Sequence, residues 1–322
     1  MIIQDRVYGK LSVEEPVLVE LMNTRPVQRL KKIEQYGVPA EWYRVPGFRR
    51  YEHSVGVMLL LRKLGASVEE QVAGLLHDVS HTAFSHVVDW VLGHSANEDY
   101  QDTVHEQFLR HPELLPVLGK YGFDVSKIGD LASFSLLEQP IPDICADRFD
   151  YTVRELACCG RVHDAQHHIS NLAVSNGKMV FKSNEAAKAF GEQYLNCQVE
   201  HWGGYDAALR YFLMSNLLKR ALDCGVISEG DFLTDDESVV QKLKVSTDAE
   251  IQGTISVLAH DLRFVVDDAN PSVQIKKKFR YVDPLFIDNG VIKRVSSAYQ
   301  DYENLIEMHR GRNAKGINVR FL

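Results

Sequence analysis

The chain has 322 residues, 36 of them Lys or Arg and 44 Asp or Glu, for a formal charge of −8. The acidic balance excludes a surface built wholly to hold nucleic acid, and 45% hydrophobic with 25% charged residues excludes a disordered or fibrous chain. Apolar runs fall short of the roughly 18 residues that a membrane helix needs. The first residues lack the pattern of a secretory leader, and the five cysteines show no Cys-x-x-Cys spacing. These features predict a cytoplasmic protein with reduced thiols and no membrane or nucleic-acid partner.

Most of the chain reads as helix. Residues 54–64 place Val57, Leu60, Leu61 and Leu64 at three- and four-residue steps and close on Gly65, which predicts an amphipathic helix. Residues 68–78 repeat the pattern through Val68, Val72, Leu75 and Leu76. Between 172 and 182, Asn176-Gly177 separates two alternating runs and predicts a β-hairpin. Residues 205–223 predict the longest helix, with Leu209, Phe212, Leu213, Leu217 and Leu222 on one side and Gly225 as its stop. A β-rich stretch from Gln274 to Val295 turns at Asp288-Asn289-Gly290. The basic residues Lys276, Lys277, Lys278 and Arg280, with Arg310, Arg312 and Lys315, could bind nucleotide or nucleic acid, but a solvated sheet edge guarded by lysine is the preferred reading. The expected architecture is mainly α, with a helical core over residues 1–260 and a small mixed α/β element over 261–322.

Seven of the 13 histidines fall between residues 53 and 111. The dipeptide His-Asp occurs three times, and chance alone gives about one, so the dipeptide decides nothing by itself. His77-Asp78 differs in context, because it ends the apolar run Val72-Ala73-Gly74-Leu75-Leu76 and would enter a buried environment. A buried imidazole and carboxylate cost several kcal/mol unless they are paired or bind a metal. If the helix continues, His81 lies on the same face. Imidazole and carboxylate suit Mn, Fe, Zn or Mg, but two adjacent residues cannot enclose an ion. His53 and Asp147 are the candidates on other helices; helix caps and ion pairs are the competing account of the same residues.

Three strings together resemble one family: Arg50-Tyr51-Glu52-His53-Ser54-x-Gly56, Ala73-Gly74-Leu75-Leu76-His77-Asp78-x-x-His81-x-x-Phe84-Ser85-His86, and Asp147-Arg148-Phe149-Asp150-Tyr151. They resemble the HD-domain phosphohydrolases, and within them the deoxynucleoside-triphosphate triphosphohydrolases, the group of the animal SAM-and-HD-domain enzyme. The resemblance is dense from Asp5 to Glu155, thins through His201 and Tyr205 to about residue 225, and fades beyond.

It implies an HD-type helical core, one divalent metal ion per subunit held by His53, His77, Asp78 and Asp147, and a homo-oligomer of two or more chains acting on a nucleotide. It implies phosphate contacts from Arg50, His81, His86, Arg148 and Tyr151, whose guanidinium, imidazole and phenol groups suit phosphate oxygens. His105 is implied as proton donor to the leaving oxygen, oriented by Asp89 or Glu106. Gln35 would read the deoxyribose, Glu155 would meet the 3′-hydroxyl, and Tyr205 would pack on sugar and base. Departures are Arg148 where the family has Lys, Glu155 where it has Asp, and Asn23, Gln28 and Lys31 at the element that reads guanine in the animal enzymes. The expected activity is hydrolysis of a deoxynucleoside triphosphate to deoxynucleoside and triphosphate. The alternatives are an enzyme of the same fold acting on a nucleoside monophosphate or cyclic nucleotide, and a nucleotide- or nucleic-acid-binding protein with little catalysis.

Overall fold

The computed structural model describes residues 1–43, 45–94 and 98–322. An antiparallel hairpin of β1 (Ile2–Asp5) and β2 (Gly9–Ser12) precedes α1 (Pro16–Met22) and α2 (Arg25–Arg29). Next come α3 (Arg50–Lys63), α4 (Val68–Leu76), α5 (Val87–Leu92), α6 (Tyr100–Leu109), α7 (Leu115–Lys120), α8 (Val125–Gly129), α9 (Ala146–Cys158) and α10 (Val162–Asn171). The hairpin of β3 (Leu172–Ser175) and β4 (Lys178–Phe181) leads into α11 (Asn184–Cys197), a π-helical turn over Gln198–Trp202, α12 (Tyr205–Asp223), α13 (Asp236–Val245) and α14 (Ala249–Leu258). The remainder comprises β5 (Phe264–Val266), β6 (Val273–Ile275), β7 (Leu285–Asp288), β8 (Val291–Arg294), α15 (Val295–Ala298), α16 (Gln300–Lys315) and β9 (Ile317–Phe321). The fold is mainly helical, as expected, and no helix among the described residues is long and apolar enough to cross a membrane.

Helix α3 packs against α4 and α9, and every residue from His53 to Leu61 is buried. The expected one-sided stripe is therefore corrected: Val55, Met58 and Leu59 are as enclosed as Val57, Leu60 and Leu61. A helix buried all round has nowhere wet to place a polar side chain, so His53 must find its partners inside the protein. Gly56 makes room for those partners, because a Cβ there would lie 1.9 Å from Arg154 Nη2 and 2.3 Å from Asp150 Oδ1. Helix α4 stops at Leu76, with His77 as its C-cap residue. His81 thus reaches Asp78 from the turns that follow, and not from a further helical step as expected.

The Asn176-Gly177 turn forms as predicted, with both residues at positive φ (51° and 71°), the geometry of a type I′ hairpin. Asn289 and Gly290 do the same for β7–β8. Strand β7 lies parallel to β4 through Phe181 and Phe286, giving a four-stranded sheet in the order β3-β4-β7-β8, while β5, β9 and β6 form a second sheet. Phe181, Phe190, Phe286 and Tyr302 share one apolar cluster with the buried side chains of α3 and α9. A second cluster joins Val38, Trp42, Phe84 and Val87 to α12 and α13. Between β6 and β7, residues 276–284 run without regular structure.

Candidate metal centre and cleft

Three helices bring together four candidate ligands: ligand atoms of His53, His77 and Asp147 lie within 4.8 Å of one another, and Asp78 stands beside them. His53 comes from the first turn of α3, His77 and Asp78 from the end of α4, and Asp147 from the first turn of α9. His53 Nε2 lies 2.9 Å from Asp147 Oδ1 and 3.2 Å from His77 Nε2. Asp78 Oδ1 is 3.5 Å from His77 Nε2, and its Oδ2 is 3.8 Å from His53 Nε2.

The ring orientations decide which atoms face inward. His53 Nδ1 donates to Asp150 Oδ2 at 2.7 Å, and His77 Nδ1 donates to the Gly74 carbonyl at 2.7 Å, because a carboxylate and a carbonyl can only accept. Both Nε2 lone pairs are thereby aimed at each other and at two carboxylates. That arrangement repels itself unless positive charge sits among the four. Burial alone would lower both imidazole pKa values, yet Asp78 and Asp147 push His77 up to about 9, and Asp147, Asp150 and Asp78 raise His53. Two nitrogens and two carboxylates form the hard-to-borderline donor set of Mn, Fe, Zn or Mg, so these residues fit a divalent ion.

The shell outside the ligands is equally built. Asp150 is held by Arg154, whose Nε and Nη2 contact it at 3.0 and 2.9 Å. Arg154 is fully buried and also reaches Asp5 and Glu52. Arg50 Nη1 donates to Asp78 Oδ2 at 2.7 Å, and Arg50 Nε donates to Ser85 Oγ at 3.0 Å. Burial would raise the Asp78 carboxyl, but Arg50, His77 and His81 hold it well below the usual range.

A cavity of about 520 Å³ opens beside the cluster, lined by His77, Asp78, His81, His86, His105 and Lys278 among others. It shares Gln35, Arg50, Tyr151, Glu98 and Arg280 with an aromatic lobe walled by Tyr36, Tyr43, Phe48, Trp202 and Tyr211. Gln35 Oε1 is buried without a protein partner. His81 is buried, with Nε2 3.3 Å from Asp78 Oδ1, and burial followed by the Arg50 charge keeps it neutral. His86 stands edge-on to His81, with ring centroids 4.9 Å apart. His105 Nδ1 meets Ser80 Oγ at 3.0 Å, its Nε2 is buried without a partner, and burial pushes its pKa down to about 4.

Several expected residues take other parts. Asp89 orients His86, with Oδ2 3.2 Å from His86 Nδ1, and its Oδ1 accepts the Tyr100 N–H; it does not orient His105. Glu106 is exposed, pairs with Arg110 at 2.7 Å along α6, and stays out of the cavity lining. The cause is helical rotation: adjacent residues on α6 point about 100° apart, so His105 faces in and Glu106 faces out. Tyr205 is exposed at the start of α12, stacks on Phe264, and lines neither lobe. Arg148 lines the cavity, but its guanidinium is engaged by Glu138 Oε1 at 2.9 Å and by the carbonyls of Gln139 and Asp143. Glu155 lines the aromatic lobe, where His201 and Trp202 both contact its carboxylate. The Tyr151 hydroxyl meets that of Tyr194.

The basic run is also corrected. It is no strand edge: Lys277 and Arg280 line the aromatic lobe, and Lys278 and Arg280 line the cavity beside the ligands. Sequence reasoning set nucleotide binding by these basic residues second to a solvated edge, and it missed Glu98, Tyr36, Tyr43, Trp202 and Tyr211. The one available signal was the interleaving of basic with aromatic residues in Lys277-Lys278-Phe279-Arg280-Tyr281.

Comparison with known proteins adds to this geometry. A family model described as HD domain matches residues 50–155, the span that holds all four ligands. The chain is 38% identical to the uncharacterized protein YdhJ of Bacillus subtilis, covering 100% of this chain and 99% of that protein. It is 36% identical to the metal-dependent phosphohydrolase cns2 of Cordyceps militaris, over 63% of this chain and 61% of that protein. Similarity to a deoxynucleoside triphosphate triphosphohydrolase, the SAMHD1 homolog of Dictyostelium discoideum, is 28% identity over 57% of this chain and 42% of that one. Among solved structures, a phosphohydrolase from Bacteroides thetaiotaomicron superposes with a TM-score of 0.69 over 93% of this chain and 94% of that chain, at 17% identity.

Proposed function

Because the chain belongs to the HD-domain metal-dependent phosphohydrolases, we propose that it hydrolyses a deoxynucleoside triphosphate to the deoxynucleoside and triphosphate. The observation that carries this reading is the convergence of His53, His77 and Asp147, with Asp78 beside them, at the edge of a polar cavity that continues into an aromatic lobe. The polar part suits phosphates and the aromatic part suits a nucleoside. A divalent ion held by His53, His77, Asp78 and Asp147 supplies Lewis-acid polarisation of a phosphoryl oxygen and a more acidic water.

The protein side chains do the rest. Arg50 is fixed by Asp78 and Ser85, so its remaining N–H groups are aimed without further ordering cost. His81 turns its Nε2 to Asp78 and so steadies that carboxylate, His86 faces the same cavity, and Lys278 and Arg280 bring positive charge against a polyanion. Water oxygen bonds to the α-phosphorus, the bond to the sugar O5′ breaks, and O5′ takes a proton. His105 gives that proton through its unpartnered Nε2. It is neutral in the free protein, and an anionic substrate raises its pKa toward the value a general acid needs.

A second reading, hydrolysis of a nucleoside monophosphate, is favoured by two observations. Arg148 is committed to Glu138, and Tyr205 stands away from the cleft, which leaves fewer groups for a long phosphate chain and its nucleoside. Incubation of the manganese-loaded protein with each dNTP and each dNMP separates the readings. Deoxynucleoside with intact triphosphate is the expected product. Phosphate released from dNMPs alone moves the assignment to the second reading, and no turnover of either with Mn, Fe, Zn or Mg overturns both.

A further inference from the structure

The segment after β6 enters the aromatic lobe as a fixed strap. The Lys277 carbonyl accepts from Asn313 Nδ2 of α16 at 2.9 Å, and the Lys278 carbonyl accepts from Gln198 Nε2 of the π-helical turn at 3.4 Å. With the backbone tied on both sides, the Lys277 side chain turns into the lobe and sets its ammonium 3.4 Å from the centre of the Tyr211 ring. Across the lobe, Glu98 is 5% exposed; one of its carboxylate oxygens is taken by Arg280, while Oε1 is buried with no partner among the described residues. Burial would push the Glu98 carboxyl up, but Arg280 and Lys277 hold it low, so Oε1 is an ionised acceptor. A buried acceptor left empty is costly, and an incoming N–H relieves that cost.

Building on the proposed nucleotide hydrolysis, we infer that Lys277 and Glu98 read the base edge and select bases carrying a lactam, that is, a carbonyl oxygen beside a ring N–H. The aromatic walls accept any base by stacking, so they cannot choose among bases. Selection falls to the two charged groups. An ammonium is best met by a carbonyl oxygen and a lone carboxylate oxygen by an acidic ring N–H, which guanine, hypoxanthine, thymine and uracil offer side by side. Adenine and cytosine also place a donor next to an acceptor. Theirs are an amino group and a ring nitrogen, weaker partners for full charges.

The test measures kcat/KM of the manganese-loaded full chain for dGTP, dITP, dTTP and dUTP against dATP and dCTP, and titrates the free nucleosides deoxyguanosine and deoxyadenosine calorimetrically. Lactam substrates are expected to lead by roughly tenfold or more. Lys277→Met and Glu98→Gln should each shrink that lead to within about threefold while metal content per chain is unchanged. A lead for adenine and cytosine, or a lactam lead that survives both substitutions, overturns the inference. Nucleosides bind without hydrolysis, so deoxyguanosine selectivity with no dNTP turnover would sink the proposed reaction and leave the inference standing. Turnover without base selectivity would do the reverse.

Discussion

His53 can present a lone pair to a cation only because Asp150 accepts the proton on its other nitrogen, and Asp150 is in turn clamped by Arg154. Such outer carboxylates fix ring orientation and raise ligand basicity. Asp150→Asn should therefore weaken metal binding about 10- to 100-fold with the ligands untouched, as read by competition with a chelator; wild-type affinity would show that the ring is held by packing alone. The contrast between neighbours on α6 gives a second expectation. His105→Ala should lower kcat by about 100-fold or more, whereas Glu106→Ala, which loses only an exposed pair with Arg110, should stay within about twofold. Equal losses in single-turnover assays would contradict the roles assigned.

At this scale the convergence of His53, His77 and Asp147, with Asp78 beside them, was legible because a metal site demands particular residue types, and these stood in an improbable joint pattern. Asp89, Glu106 and Tyr205 were not, because motif spacing names a residue without its rotation about the helix axis. Lys277 was set second for another reason: basic residues usually mean solvent, and only the tertiary fold reveals that its ammonium lies over the Tyr211 ring.

Among the elements, the segment between α4 and α5 bears unusual strain. Phe84 (φ 62°) and Ser85 (φ 46°) are consecutive residues in the left-handed region, which costs roughly 1–3 kcal/mol each for side chains bearing a Cβ. What holds them is Asp236 at the first position of α13, more than 150 residues away. Its Oδ1 accepts the Phe84 N–H at 2.7 Å and its Oδ2 accepts the Glu34 N–H at 2.8 Å. Ser85 Oγ then donates to the Glu34 carbonyl at 2.8 Å and receives Arg50 Nε. One carboxylate thus sets the two loops that aim Arg50.

Asp236→Ala leaves two buried N–H groups unpaired and should cost about 2–4 kcal/mol in denaturant unfolding. It should also lower kcat more than it raises KM, because Arg50 loses its fixed pose. A stability loss with unchanged kinetics would confine Asp236 to a structural part. Element positions were otherwise well read from the chain: the 205–223 helix and both Asn-Gly hairpins form where expected. The period of α3 misled because a helix enclosed on every side keeps apolar residues at all angles, so its stripe marks no particular face.

Across the whole molecule, Val282, Phe286, Val295, Tyr302 and Ile306 join the apolar cluster of α3 and α9. His168 of α10 is 1% exposed against Phe181 of β4 and Phe190 of α11, with Nε2 3.3 Å from Gln193 Oε1. Burial pushes its pKa down to about 4. The unfolded chain takes up a proton near pH 6.5 that the folded chain refuses until about pH 4, so the unfolded state binds more protons in that window. Stability is full above pH 6.5 and falls as pH drops toward 4, by about 3 kcal/mol from this group. His168→Gln should flatten that part of the profile in urea unfolding at pH 7 and pH 4.5; an unchanged slope would place the acid sensitivity elsewhere.

The strap at residues 276–280 has one more consequence, for the order in which a newborn chain acquires its parts. All four candidate ligands are encoded by Asp147, yet Lys277 of the aromatic lobe follows about 130 residues later (277 − 147). A premature stop codon after α14 would remove Lys277 and Arg280 from the aromatic lobe together with the core side chains Val282, Phe286, Val295, Tyr302 and Ile306, so the lobe and part of the core would be lost with the candidate ligands still encoded.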